Sequence, residues 1–478
     1  MIESSSRRVS TRILAAFNVL LLVGAACAVL LAAYGAAQLR ARPLDYGVAF
    51  VLYAAAPLLV VAVLIGVRLL PVAARINAVL LLVSVGVMLG LAELAVTLLP
   101  SPRPETTHQR MARQLGQPYD GRTVREVVAD ARARGEDVWP FVSPGHFLAR
   151  DLRLDVDGAR ILPLSAGLPG RTLVDCNEGG RYTIYPANAW GFRGPLSTAE
   201  TPAQLVLLGD SFTQGACVDD GETLADHLRM TWPRTVNLGA SGTGPLMQLG
   251  ILQEFAARLR PARVLWFFYE GNDLANVQWE YDAPIVNRYL RDGAHQALLD
   301  RRTGVEAALV QHIDAALARP VAARKRKAWR DWLLLGSLRG RLGWFSDRST
   351  KRPLDRTAVA KLVEVFDRGR TVAASWGGQV TIVYLPSWER YGAPNQAFAP
   401  RRAVLRALRA RGFDVVDVHP VFRAHHDPLS LFPMRIYGHY NADGYARAAD
   451  AVRSALQRAT TAADDRAAPA GWNAKNPG

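Results

Sequence analysis

Hydrophobic positions are continuous in the first hundred residues and periodic in the second half of the chain. The runs ILAAFNVLLLVGAACAVLLAAYGAAQL, YGVAFVLYAAAPLLVVAVLIGV and NAVLLLVSVGVMLGLAELAVTLL carry almost no charge, and each is long enough to cross a bilayer. They predict three transmembrane helices within 13–99, after a cytoplasmic stretch 1–12. Arg7, Arg8 and Arg12 ahead of the first run, with Arg68 and Arg75 between the second and third, favour a cytoplasmic N-terminus; Arg40 and Arg42 weaken the contrast. A cleaved signal peptide is the alternative for the first run, but its apolar stretch exceeds the usual core of ~7–15 residues and two more runs follow. An odd number of spans places the chain after Pro100 on the periplasmic or extracytoplasmic side of a plasma (inner) membrane. Glu93 lies in the third run, near enough to its end to reach the interface, although an acid at membrane depth is also a functional candidate.

Beyond the membrane runs, 100–203 mixes Pro, Gly and Arg with short alternating runs such as RYTIYP, and predicts a connector with an accessory segment. From Gln204 the rhythm becomes strand, helix, strand. QLVLLGD, TVNLGAS, RVLWFFYEG, QVTIVYLP and FDVVDV are short strands of the fully buried kind, and helical spacing fills the stretches between them. This alternation predicts an α/β domain over 204–459 with a parallel sheet between two helical layers. In such sheets ligands gather beyond the carboxyl ends of the strands. An insertion at about 277–356 interrupts the alternation, and an Ala-, Asp- and Pro-rich stretch, 460–478, is expected to be a disordered tail.

Charge and cysteine usage narrow the partners. Lys and Arg number 57 against 42 Asp and Glu, a formal net charge of +15. Outside the cytoplasm such an excess suits anionic glycan or lipid surfaces, or reflects solvated arginine-rich faces. No nucleic-acid-binding signature accompanies it. In the insertion, Arg324, Lys325, Arg326, Lys327 and Arg330 adjoin Trp329, Trp332, Leu333, Trp344 and Phe345. That composition fits a helix lying at a lipid interface, or equally a cap packed over a site. Cys27 falls in the first run, whereas Cys176 and Cys217 form an even pair on the oxidising side and permit one disulfide.

The polar residues that carry chemistry fall at the predicted strand ends. Gly209, Asp210 and Ser211 follow the first strand, Gly242 follows the second, Gly271, Asn272 and Asp273 the third, and His439 the fifth. Acyl transfer by serine needs a hydroxyl, a base, donors for the oxyanion and a group that orients the base. Ser211, His439, and the pair Asn272 and Gly242 supply the first three. Asp210 and Asp273 are expected to fix turns through side-chain to backbone hydrogen bonds. Ser211 lacks the glycine two residues on that a nucleophile elbow of the α/β-hydrolase kind requires, since Thr213 stands there.

GDSFTQG, a Gly-bearing turn, GND and a late histidine, in that order, resemble the SGNH, or GDSL, hydrolases over about 204–457. The resemblance implies a three-layer α/β/α domain that hydrolyses or transfers esters, often acetyl groups on sugars. It makes Ser211 the nucleophile and an oxyanion donor, Gly242 and Asn272 the further donors, and His439 the base. The segment NAWGFRG at 188–194 is similar to the lead-in of membrane-anchored members, with no chemical role evident from its residues. One departure stands out. The family's usual acid, two or three residues before the histidine, is replaced here by Tyr437 and Ile436. The orienting group is then a backbone carbonyl, an acid from elsewhere, or Asp427, the nearest upstream candidate; its loss would instead mark a weak, glycan-binding protein. Asp443 is expected to begin the last helix. HHD at 425–427 lacks a further ligand at metal-site spacing, so neither a metal nor a cofactor is expected.

The expected function is therefore a membrane-anchored, extracytoplasmic serine esterase acting on acyl, chiefly acetyl, esters of an envelope or secreted glycan. An O-acetyltransferase of the same fold is the alternative. Membrane lipid and a glycan or acyl ester are the expected partners.

Overall fold

The computed structural model describes residues 105–165, 167–196, 202–318, 357–393 and 400–467, the helix 72–98, and scattered residues within 15–71 and 335–338. The chain divides into two compact units. One comprises 1–104 with 320–353, and the other 105–319 with 354–478.

In the first unit, Val72–Leu98 is a single helix of 27 residues, and its stretch Val72–Val96 has a mean hydropathy of 2.5. It is the one described helix long and apolar enough to cross a membrane. The first two apolar runs fall largely outside the described residues, as do Trp329, Trp332, Trp344 and Phe345 of the insertion. Glu93 is buried within this unit, where its carboxylate accepts the backbone N–H of Leu338 at 2.8 Å. Its carboxylate is therefore turned toward protein.

The second unit holds ten described strands. Five are short and precede the main sheet: β1 (Val138–Pro140), β2 (Leu154–Val156), β3 (Ala159–Ile161), β4 (Thr172–Val174) and β5 (Ile184–Pro186). β4 pairs with β1 on one side and with β5 on the other, while β2 and β3 form a hairpin. The remaining five are β6 (Leu205–Leu208), β7 (Thr235–Asn237), β8 (Arg263–Tyr269), β9 (Gln379–Leu385) and β10 (Asp414–Asp417). They form one sheet in the order β10-β9-β8-β6-β7 with every pairing parallel. All five lie where the sequence places strands.

Why these strands are apolar throughout follows from their two covered faces. Val206, Leu208, Val264, Trp266 and Phe268 point to one core, which includes Leu246 and Leu249 of helix Pro245–Ile251 and Leu362 and Phe366 of helix Ala358–Ala374. The alternate residues Leu205, Leu207, Leu265, Phe267 and Tyr269 point to the other, filled by helices Leu224–Arg229 and Ala442–Ala467. The result is a three-layer α/β/α unit.

Residues 105–196, within the stretch expected as connector and accessory segment, belong to this unit. Their Trp139, Phe147, Leu164, Tyr185 and Phe192 share the first core with the sheet. At the other end, the closing helix runs to Ala467, into the stretch expected as tail, because its alanine-rich sequence sustains helix. Asn441 caps it by accepting the Gly444 N–H at 3.0 Å, and Asp443 sits in the first turn, where the helix dipole favours an acid.

Chain order fixes where the site sits. β7 lies on one side of β6, and β8 on the other. The crevice at this reversal, beyond the carboxyl ends of β6 and β8, is where doubly wound sheets bind ligands. Ser211 follows β6 and Asn272 follows β8.

Candidate active site

At the end of β6 the chain turns sharply into a four-residue helix, Ser211–Gln214. Asp210 caps that helix by accepting the Phe212 N–H at 3.0 Å, and Gly215 ends it in the left-handed conformation at φ 85°. The turn presents Ser211 at the sheet edge, its side chain largely buried. Asp273 performs the same local service after β8, accepting the Tyr269 N–H at 2.7 Å. Both acids are pushed above the usual carboxylate range by burial; Asp210's charge raises Asp273 further, whereas the Phe212 N–H and Asn272 amide partly offset the shift at Asp210.

Ser211 Oγ lies 2.7 Å from Nε2 of His439. The other ring nitrogen, Nδ1, lies 3.0 Å from Oε1 of Glu178. Glu178 holds the histidine twice, because its Oε2 also accepts the His439 backbone N–H at 2.7 Å. Phe212 packs against the imidazole with ring centroids 4.8 Å apart, and Tyr440 next to it is buried. Burial lowers the affinity of His439 for a proton, but the charge and hydrogen bond of Glu178, with the charges of Asp210 and Asp175, outweigh it and raise its pKa above 6.5. Burial conversely pushes Glu178 up, and the imidazole's charge and hydrogen bonds pull it below the ordinary carboxylate range. Each group therefore stabilises the ionised form of the other.

Asp427 is not the orienting acid. It forms an ion pair with Arg435, and its backbone carbonyl lies 2.9 Å from His425 Nδ1. Tyr437, two residues before His439, is exposed and reaches Thr107 Oγ1 through its hydroxyl at 3.3 Å.

The candidate donors are Asn272 and Gly242. Asn272 Nδ2 donates to Asp210 Oδ2 at 3.1 Å, which fixes the amide plane and leaves its second N–H for a ligand. Gly242 has φ +75°, a left-handed backbone that glycine adopts without strain. Its loop is clamped from two sides. Ser143 Oγ donates to the Ser241 carbonyl at 2.6 Å, and the Ser241 N–H donates to Gln214 Oε1 at 2.8 Å. A Cβ at Gly145 would lie 2.0 Å from the Gly242 carbonyl oxygen, so only glycine permits this approach. Glu280 holds the following helix by accepting the N–H groups of Gly244, Leu246 and Met247. Gly209 and Gly271 are tightly packed turn residues: a Cβ there would meet Thr213 Oγ1 at 2.0 Å and Tyr269 Cε1 at 2.4 Å.

The 188–194 motif now has a structural role. Asn188 Oδ1 accepts the N–H groups of Trp190 and Phe192, closing a turn that drives Arg193 under the serine's loop. Buried Arg193 donates to the carbonyls of Gly215 at 2.5 Å and Val218 at 2.9 Å, and pairs with Asp220. Gln214 is tied to the same layer through Tyr185 and Asp175, both at 3.0 Å.

Sequence reasoning missed Glu178, because it lies in the β4–β5 loop ahead of the whole motif series. The available signal was Cys176 two residues before it. Cys176 is disulfide-bonded to Cys217, six residues past Ser211, with Cα atoms 5.3 Å apart. Given that pairing, Glu178 falls beside the serine's loop. Among the described residues, the grouping of metal-ligand type is Cys176, Cys217 and His439, and the disulfide occupies its two sulfurs.

No family model and no curated protein matches the chain. Solved structures similar to it include a lipolytic protein of the G-D-S-L family from Desulfitobacterium hafniense DCB-2, at 12% identity over 52% of this chain and 98% of that one, TM-score 0.29. A two-domain esterase active on acetylated mannans matches at 14% identity over 57% of this chain, TM-score 0.30, and the match spans 53% of its own length. An acylhydrolase from Bacteroides fragilis NCTC 9343 matches at 14% identity over 55% and 91% of the two chains, TM-score 0.27. Likeness at these scores carries no weight of its own; sheet order and side-chain geometry do. The second unit is a three-layer α/β/α fold whose parallel sheet places Ser211 just beyond β6 and Asn272 just beyond β8.

Proposed function

We propose that the protein is a serine esterase that passes through an acyl-enzyme on Ser211, with Ser211, His439 and Glu178 as its triad. The observation that carries this reading is the continuous line from Ser211 Oγ through both imidazole nitrogens to Glu178, at 2.7 and 3.0 Å. His439 takes the Ser211 proton as Oγ attacks the ester carbonyl. The oxyanion forms against the N–H groups of Gly242 and Ser211 and Nδ2 of Asn272, and His439 then protonates the leaving alcohol. Water repeats the sequence to release the acid. The missing acid before His439 argued for a weak, glycan-binding protein; with Glu178 on Nδ1 that motive is gone.

The preferred substrate is an acetyl ester of an envelope or secreted glycan, met outside the cytoplasm by a catalytic unit anchored through three N-terminal spans. Supporting the anchor, Val72–Leu98 has 27 residues, enough at ~1.5 Å per residue to exceed the ~30 Å hydrocarbon core. Supporting the compartment, the unit carries a disulfide, which persists under oxidising conditions.

Fluorophosphonate labelling tests the chemistry. Wild type takes the label and Ser211→Ala does not; equal failure of both, beside a labelled control esterase, overturns it. Incubating the full chain with acetylated polysaccharide, and then with an activated acetyl ester plus unmodified polysaccharide, separates the acceptors. Free acetate marks the esterase, and acetylated sugar without net acetate release marks an O-acetyltransferase.

A further inference from the structure

The disulfide lies inside the site rather than at its periphery. Cys217 Sγ is 3.6 Å from His439 Nδ1, the nitrogen that Glu178 also meets. Cys176 is separated from Glu178 by Asn177 alone, and both cysteines are only partly buried, within reach of a small dithiol. The two loops the bond joins are each anchored by their own contacts, Tyr119 Oη donating to the Asn177 carbonyl at 2.7 Å, and the Arg181–Asp219 ion pair also runs between them. Cys217's loop is gripped by Arg193 through the carbonyls of Gly215 and Val218, whereas Glu178 sits on a turn closed by Asn177, whose Oδ1 accepts the Gly180 N–H at 2.9 Å and whose Nδ2 reaches the Asp120 carbonyl at 3.0 Å. The Cys176–Cys217 bond is therefore the covalent link, two residues from Glu178, that sets the register of the acid's turn against the serine's loop.

We propose that the Cys176–Cys217 disulfide is a positioning element of the triad, and that breaking it switches the enzyme down by releasing Glu178 from His439. This rests on the triad read above. In the reducing step a dithiol supplies two electrons and two protons, the S–S bond becomes two thiols, and the dithiol leaves as its own cyclic disulfide. Glu178 then loses the covalent tether two residues away, and His439 loses its fixed tautomer and orientation. A misplacement of about 1 Å in such a constellation costs on the order of 10²-fold in rate. A newly made chain in a reducing compartment is consequently held in a low-activity state, and oxidation completes the site.

The experiment uses the full chain in detergent and hydrolysis of p-nitrophenyl acetate. Wild type is measured oxidised, after dithiothreitol, and after reoxidation with oxidised glutathione; Cys176→Ser/Cys217→Ser is measured alongside, each in native and Glu178→Gln backgrounds. Near-ultraviolet circular dichroism reports whether each form stays folded. Reduction is expected to lower kcat about 10²-fold with KM little changed, and reoxidation to restore it. The acid limb of the pH profile should move to lower pH, as in Glu178→Gln, since Glu178, Asp210, Asp175 and His108 are the groups whose charges act on His439. In the Glu178→Gln background, reduction should change kcat less than threefold. A folded, reduced enzyme with wild-type kcat and pH limb overturns the proposal, and so do losses that multiply in the Glu178→Gln background. If Glu178→Gln is itself as active as wild type, the triad reading fails instead, and the two failures are distinct.

Discussion

Replacing Glu178 by glutamine removes one negative charge and turns one acceptor into a donor. In the wild type, Oε1 stands 3.0 Å from His439 Nδ1 and Oε2 accepts the His439 N–H at 2.7 Å. Glutamine satisfies only one of these. If its oxygen takes the backbone N–H, its amide N–H points at Nδ1 and favours the tautomer with the proton on Nε2, which cannot accept from Ser211. The charge matters as well. At 3.0 Å and an effective dielectric of ~20, carboxylate and imidazolium attract by roughly 5.5 kcal/mol, the same size as the ~10⁴-fold loss when a triad's orienting acid is made an amide. kcat for p-nitrophenyl acetate should thus fall by about 10³- to 10⁴-fold, with KM little changed. The pH profile gives an independent sign. His439 acts as base only above its pKa, which Glu178 helps to raise; without that charge, burial dominates, the pKa falls, and the acid limb of kcat/KM moves to lower pH. A folded Glu178→Gln enzyme within threefold of wild type, with its acid limb unmoved, refutes the reasoning.

Asn272→Ala removes the amide donor and should lower kcat by about 10²- to 10³-fold at nearly constant KM; a loss under fivefold in steady-state kinetics would exclude Asn272 as an oxyanion donor. Gly242→Ala forces a left-handed φ on an L-residue and puts Cβ 2.3 Å from Ser143 Oγ, so a loss of stability of at least ~1–2 kcal/mol should accompany the loss of kcat, read together by thermal melting and rate. Arg193→Ala strands the Gly215 and Val218 carbonyls in a buried layer and should destabilise the unit by about 3 kcal/mol, measured by urea unfolding. Fluorophosphonate labelling of that variant should slow, because the loop it releases carries Ser211.

Much of the second unit was legible because its signals are local. β6 through β10 are short runs buried on both faces, so their sequences are apolar throughout, and the polar residues that end them are the ones a ligand meets. Strand-end position, together with the order of the motifs, singled out Ser211, Gly242, Asn272 and His439, and the structure brings Ser211 and His439 into contact at 2.7 Å. Of the three runs expected to span a membrane, the described residues contain one helix long and apolar enough to do so, Val72–Leu98. Two things were not legible. The segment 105–200 has short strands of three residues and no strong period, so nothing in it announced that Trp139, Tyr185 and Phe192 complete the sheet's own core. Asp427 misled because nearness in sequence stood in for nearness in space, and the ion pair with Arg435 that holds it away from His439 has no sequence signature.

In the proposed triad, Glu178 shows why the acid is the hardest member to place. The serine must sit on a strand-end turn and its oxyanion donors on neighbouring strand ends, so their order in the chain is constrained by the sheet. The acid answers only to the Nδ1 side of the imidazole, and any loop that reaches that side serves. Here the β4–β5 loop reaches it from ahead of the sheet. Glu178 grips both the ring and the backbone of His439, so the histidine's own loop needs no acid, and Tyr437 is free to face solvent. The cost of a distant acid is that its loop must be registered against the serine's, a separation of 41 residues between Cys176 and Cys217 that the disulfide closes. By the chain-entropy relation that closure contributes about 4 kcal/mol. The same bond that stabilises the unit thus lies where it sets the distance between acid and base, which is why the loss of rate and the loss of stability on reduction should be separable by Glu178→Gln: the substitution cancels the first and leaves the second.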